Sequence, residues 1–147
     1  MLCVLAPISI PIGDVPLSLA TLVILVTAGI LGSAKTTAAV AVYLILGCVG
    51  LPVFSGFAGG IGRLLGPTGG FLIGYIPLAL IAGRGKILPM ILGCAAMYAA
   101  GTVWYIFWAD VTPWTAMLVC VVPYLPAEAV KIAAAAAAAK RIGRRNV

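Results

Sequence analysis

The sequence predicts an all-α membrane protein: a six-helix transmembrane bundle with a shortened first helix and a long extracellular glycine-rich loop between helices 3 and 4. Three observations carry that prediction. Hydrophobic residues make up 64% of the 147 positions and charged residues only 8%, against roughly 25% charged in an ordinary soluble domain. A soluble body of this size leaves much of its surface wet and cannot hide so much apolar area, so lipid is the solvent that accepts the chain. Apolar stretches recur along the whole length, each closed by glycine, proline or charge. Finally, seven of the nine lysines and arginines fall on one set of connections or the tail. Residues 1–147 read as a single membrane domain.

The spans follow in chain order. Residues 1–12 form a short first piece whose rise is only about 18 Å as a helix, less than a bilayer core of roughly 30 Å. Residues 17–32 and 36–51 are two spans joined by a tight turn carrying Lys35. Residues 68–82 are a fourth and 87–108 a fifth. The last apolar region, 114–139, is interrupted by Pro123 and Pro126. Each proline inside a helix removes a hydrogen bond and introduces a clash. The region therefore divides into a short segment near 114–122 and a true span over about 125–141, roughly 25 Å long.

Charge sets the expected orientation. With the C-terminus in the cytoplasm, Lys35, Arg84, Lys86, Lys140, Arg141, Arg144 and Arg145 all lie inside. Asp14, Asp110 and the long loop over residues 51–67 lie outside, with Arg63 as the one basic residue there. Seven against one is a strong positive-inside asymmetry, as in a multi-pass protein of the cell membrane. The basic tail suits anionic lipid headgroups. Nucleic acid is not an expected partner, because no soluble basic module is present, and no charged segment precedes the first apolar residues as in a signal peptide.

Several chemistries are excluded. The four cysteines sit within apolar runs and read as small buried hydrophobes. With no histidine and no paired CxxC, neither a metal nor a redox site is expected. Gly29-Ile-Leu-Gly-Ser-Ala-Lys-Thr36 imitates a phosphate loop but carries Ala34 where the second glycine belongs. No acid, base and nucleophile set converges, so neither an enzyme nor a cofactor is expected.

Two features point to a binding site. Between Leu51 and Gly74 there are eight glycines, among them Gly62, Gly66, Gly70 and Gly74 at a spacing of four. That spacing permits close helix crossing in lipid. A second reading makes the segment a lid over a pocket: Gly56, Gly59 and Gly60 let backbone approach a ligand, and Gly66-Pro67-Thr68-Gly69-Gly70 lead into the next span. Thr68 suits a helix N-cap, whose free amides could receive an anion. Arg63 faces either a substrate carboxylate or a lipid phosphate.

Glu128 and Lys131 are the sharper signal. Three residues apart on one helix, they share a face, and ionisable groups cost a few kcal/mol each among lipid chains. Both must turn to the bundle interior, either as a structural pair or as an anchor for ligand. Trp104, Tyr105, Phe107, Trp108 and Trp114 cluster toward the outer ends of the fifth span and its loop, mostly as interface anchors. Trp104 is the one expected to point inward, with Tyr75 as another wall. The alanine run over 133–139 offers a thin surface for tight packing on another helix.

Gly50-Leu-Pro-Val-Phe-Ser-Gly56, Gly59-Gly60 and Gly66-Pro-Thr-Gly-Gly-Phe-Leu-Ile-Gly-Tyr75 resemble blocks of the BioY family, the biotin-binding membrane subunits of energy-coupling-factor transporters. Ile10-Pro-Ile-Gly-Asp-Val-Pro-Leu17, Gly101-Thr-Val-Trp104 and Pro123-Tyr-Leu-Pro-Ala-Glu-Ala-Val-Lys131 match further blocks in order. The resemblance implies an outward-facing biotin pocket closed by the glycine loop. It implies that Glu128 and Lys131 bind the polar head of biotin. It also implies a transmembrane coupling protein and two cytoplasmic ATPase subunits as partners. This chain carries Glu128 where the family typically has aspartate, and Ser18-Leu19-Ala20 where it has Thr-Leu-Gln. Ser18 keeps a hydroxyl and Ala20 gives up an amide. A subunit for another vitamin or small carboxylate, and a structural or assembly membrane protein that binds nothing, are the rival readings.

Overall fold

The computed structural model describes residues 2–12, 15–83 and 86–143. Met1, Asp14, Arg84, Arg144 and Arg145, which figure in the spans and the charge asymmetry above, lie outside the described residues. In order, the elements are α1 (Leu2–Leu5), β1 (Ser9–Ile10), β2 (Leu17–Ser18), α2 (Ala20–Leu31), α3 (Ser33–Val49), α4 (Ile61–Leu64), α5 (Gly69–Ala82), α6 (Ile87–Ala109), α7 (Pro113–Cys120), a 3-10 turn (Val122–Tyr124) and α8 (Leu125–Gly143).

Among the described residues there are thus eight α-helices where the sequence predicts six. The excess consists of short pieces. α4 is a single turn inside the long loop, and α7 is separated from α8 by the 3-10 turn at Pro123. The five spans expected after the first piece correspond to α2, α3, α5, α6 and α8. α6, with 23 residues, is long and apolar enough to cross a membrane, and so is the run Pro113–Ile142 taken through its turn.

The first piece is not a helix of twelve residues. Helix stops at Leu5, and the chain then pairs Ser9–Ile10 antiparallel with Leu17–Ser18, Ser9 opposite Ser18 and Ile10 opposite Leu17. Pro7 and Pro11 explain the change, since each lacks the N–H that a continuing helix needs. Nor is Lys35 in the turn between the second and third spans. Gly32 alone makes that turn, at φ +85°, and Lys35 is an exposed residue of the first turn of α3.

The body of the bundle is the antiparallel pair α5–α6. A methyl group added at Gly74 would press on Met97, and one at Gly101 would strike the Phe71 ring. Glycine lets the two backbones approach until each faces a large side chain of the other, as membrane helices do. The four-residue glycine spacing does not run along one helix, however. Pro67 separates Gly62 and Gly66 from Gly70 and Gly74, and no atom lies near a Cβ at Gly62.

α8 runs parallel to α2, because Tyr124 reaches Val15 while Lys131 reaches Thr21 farther along both segments. Lys131, Ala135, Ala136 and Ala139 form the buried stripe of α8. The small alanines thus pack within this chain, and Val130, Ala133, Ala134 and Ala137 face outward. The far end of α5 meets the start of α3, where a Cβ at Gly83 would overlap Ser33. Lys35, Lys86 and Lys140 therefore stand at one end of the bundle.

Burial is inverted relative to a soluble domain. Val42, Ile45, Leu80, Leu88, Phe107 (82% exposed) and Val130 face outward, whereas Glu128 is 4% and Lys131 8% exposed. In water that arrangement would be unfavourable on both counts. In lipid it is the expected one.

Candidate functional site

The site is built where the hairpin meets α2, α5, α6, α7 and α8. Lys131 extends from α8 toward the start of α2 and donates to the Ser18 carbonyl at 2.8 Å and to Thr21 Oγ1 at 2.9 Å. Its third bond goes to Glu128 Oε2 at 3.4 Å, one turn back on α8. An ammonium has three N–H donors, so all three are used. Glu128 Oε2 also accepts from the Tyr98 hydroxyl at 3.2 Å, and the Cys94 thiol lies 3.6 Å from Oε1. Ser18 Oγ and the Tyr75 hydroxyl stand 3.4 Å apart. The buried charges are thus paired and hydrogen-bonded, as burial requires.

Beside this pair is a small cavity of about 40 Å³. Its polar wall is Ser18, Thr21, Tyr75, Tyr98, Glu128 and Lys131, and its apolar wall includes Val15, Leu17, Phe71 and Met97. A mostly apolar pocket with a few convergent polar groups is the usual form of a small-molecule site. A second small cavity, of about 30 Å³, shares Val15, Pro16, Phe71 and Tyr75 with the first and is lined also by Ser55, Arg63 and Thr68. Together they make a two-chambered space, with an ion pair at one end and a guanidinium at the other.

Tyr124 fixes the hairpin side of the space. Its hydroxyl donates to the Ile12 carbonyl at 2.7 Å and also to that of Val15, tying the segment before β2 to the start of α8.

The long loop lies on the bundle. Phe54 is buried edge-on against Tyr43 and bridges to Ala58. Gly56 N–H donates to the Pro7 carbonyl at 3.0 Å and Gly60 N–H to that of Gly47 at 2.7 Å. Gly60 sits at φ +96°, a conformation open to glycine at little cost. At Gly59 the Leu51 carbonyl fills the place of a Cβ, and at Gly69 the Leu64 carbonyl does.

The fold therefore brings Glu128, Lys131, Ser18 and Tyr75 to one cavity and Arg63 and Thr68 to the adjoining one. Gly56, Gly59, Gly60, Gly66, Pro67, Gly69 and Gly70 line neither. Thr68 holds the N-cap position of α5, but its hydroxyl makes no capping bond; its carbonyl accepts from the amides of Phe71 and Leu72 instead.

Trp104 also lines neither cavity. Its indole N–H donates to the Gly66 carbonyl at 3.0 Å, so it fastens the end of the loop to α6 in place of walling the pocket. Trp104→Phe is expected to lower stability by about 0.5–1.5 kcal/mol, the net worth of one such bond. A melting curve in detergent checks this, and an unchanged midpoint would remove the fastening role.

Thr21, Phe71, Met97, Tyr98 and Tyr124 were not singled out from sequence. Tyr124 precedes Glu128 by four, so spacing from the ion pair is a signal for Tyr124 alone; the others come from different elements.

The comparisons with known proteins agree with one another. A family model described as the BioY family matches residues 1–146. The "probable biotin transporter BioY" of Pyrococcus horikoshii is 36% identical over 141 residues, covering 93% of this chain and 86% of that protein. The "biotin transporter BioY" of Thermotoga maritima is 35% identical over 150 residues, covering 95% and 88%. The crystal structure of the S-component for biotin from an ECF-type ABC transporter superposes with a TM-score of 0.89 at 25% identity, covering 97% of this chain and 85% of that one.

Proposed function

This chain belongs to the BioY family, and on that premise we propose that it is the substrate-specific subunit of an energy-coupling-factor transporter, binding biotin for uptake across the cell membrane. It is not an enzyme. The observation that carries the proposal is the buried Glu128–Lys131 pair at the floor of a largely apolar cavity.

The residues that line the two cavities match the chemistry of biotin. Its ureido ring offers N–H donors and one carbonyl acceptor, which suit a carboxylate and an ammonium side by side. The sulfur-containing ring and aliphatic chain suit Phe71, Met97, Val15 and Leu17. Arg63, at the far end of the second chamber, suits the carboxylate of the side chain, with Ser55 and Thr68 beside it. Ser18 and Tyr75 stand between, and the loop over residues 51–68 covers the space from outside. Trp104 serves the site through the loop. Gly56, Gly59, Gly60, Gly66 and Gly69 let that loop lie close to the bundle.

The proposed topology is a six-pass bundle. α2, α3, α5, α6 and the α7–α8 run are spans, and the short segment at α1 is the sixth and incomplete one. The loop lies outside and the C-terminus in the cytoplasm. Lys35, Lys86 and Lys140 at one end support that orientation. A coupling protein in the membrane and two cytoplasmic ATPase subunits would supply the work that reorients the subunit, with no chemistry on biotin itself.

Calorimetric titration of the detergent-purified chain with biotin, alongside a panel of other vitamins, tests the function. Saturable heat with biotin alone is expected. Saturation by another vitamin and not by biotin would reassign the ligand, and no response to any member of the panel would refute the binding role.

A further inference from the structure

Glu128 belongs to α8, yet its carboxylate is held by α6. Tyr98 donates to Oε2 at 3.2 Å, while Oε1 has only the Cys94 thiol, 3.6 Å away, as a neighbour on that helix. Cys94 and Tyr98 stand one above the other on a single face of α6. The carboxylate crosses to that face because glutamate has two methylenes; an aspartate on the same backbone would end one carbon–carbon bond short.

The hydrogen-bond inventory then assigns unequal tasks to the two oxygens. Oε2 receives both Tyr98 and Lys131. Oε1 faces a thiol, which is a weak donor and readily gives way to an N–H. Lys131 has no donor to spare, so a ligand carbonyl must displace its longest contact, the 3.4 Å bond to Glu128. At that moment Tyr98 is the strong donor that still holds Oε2.

We propose that Tyr98 is a positioning residue matched to glutamate at position 128: its hydroxyl fixes Oε2 so that Oε1 receives the ligand's N–H while Lys131 turns to the ligand's carbonyl. The proposal rests on the reading that Glu128 faces the polar end of biotin.

The test exploits composition. Glu128 is the one glutamate in the chain and there is no glutamine, so labelling with [5-13C]glutamate gives a single side-chain carboxyl resonance. Tyr98→Phe removes the hydroxyl but keeps the ring that packs edge-on against Phe71 with centroids 6.0 Å apart. Without any ligand, that substitution should move the carboxyl resonance. For biotin, Tyr98→Phe should raise Kd about tenfold, as expected for loss of a hydrogen bond to a charged group. In a Glu128→Asp background, where the carboxylate falls short of Tyr98, the same substitution should change Kd less than about twofold, the two sites being coupled.

A resonance unmoved by Tyr98→Phe would overturn the proposal, and so would an equal loss of affinity in both backgrounds. Absence of biotin binding in the unsubstituted chain would refute the proposed ligand instead, and the resonance would still decide whether Tyr98 holds Glu128.

Discussion

Lys131→Met is expected to reduce biotin affinity by at least about a hundredfold, because the charge-assisted bond to the ligand carbonyl and the placement of Glu128 are lost together. The single substitution also has a structural cost. It strands Glu128 within the bundle and frees the Ser18 carbonyl and Thr21 hydroxyl that Lys131 now satisfies. Removing one member of a buried ion pair destabilises by roughly 3–5 kcal/mol. Glu128→Gln carries a similar penalty on the other side.

The double variant Glu128→Gln with Lys131→Met separates folding from binding. Replacing a buried pair as a unit is often near neutral for stability, so this protein should remain monodisperse with a melting midpoint closer to the parent than either single variant. It should nevertheless fail to bind. Titration and a thermal melt on the same preparation check both statements, and tight binding by the double variant would remove the pair from the site.

The second large effect is at Gly70. A Cβ there would overlap Trp104 Cβ and lie 2.8 Å from Trp104 Cγ and 2.9 Å from the Ala100 carbonyl. These are backbone and side-chain root atoms of α6, with little room to shift. Gly70→Leu should therefore push α5 from α6 and cost about 1–3 kcal/mol or more as overpacking. Phe71 and Tyr75 line both chambers from the same helix, so affinity should fall alongside stability. A lowered melting midpoint and weaker biotin binding are expected. Native values for both would contradict the close packing of α5 on α6.

Much of this arrangement was legible from residue types alone. Glu128 and Lys131 declare themselves because an ion in an apolar helix has nowhere to face except inward. The ends of α5 and α6 fell within a residue of those read from the sequence because Gly, Pro and charge interrupt the apolar pattern there. The division at Pro123 followed from the missing amide N–H.

Other features had no such mark. Strands of two residues have no periodicity to detect, so the hairpin at Ser9–Ile10 and Leu17–Ser18 was hidden in an apolar run. Tyr98, Phe71 and Thr21 look like ordinary residues of membrane helices, and only tertiary placement gives them the ion pair as a neighbour. Trp104 has a partner that residue type alone does not reveal. At the close crossing with Gly70 its indole N–H meets the Gly66 carbonyl. The glycine spacing misled in the opposite direction, since Pro67 divides a regular repeat between a loop and a helix.

The most direct measurement is a structure of the detergent-purified chain crystallised with biotin. The ureido ring should lie within hydrogen-bonding distance of Glu128 Oε1 and Lys131 Nζ, between Phe71 and Tyr75, with the carboxylate directed toward Arg63. Biotin found with its ureido ring away from that ion pair, for instance in the outward groove beside Leu2, Val23 and Tyr43, would contradict it.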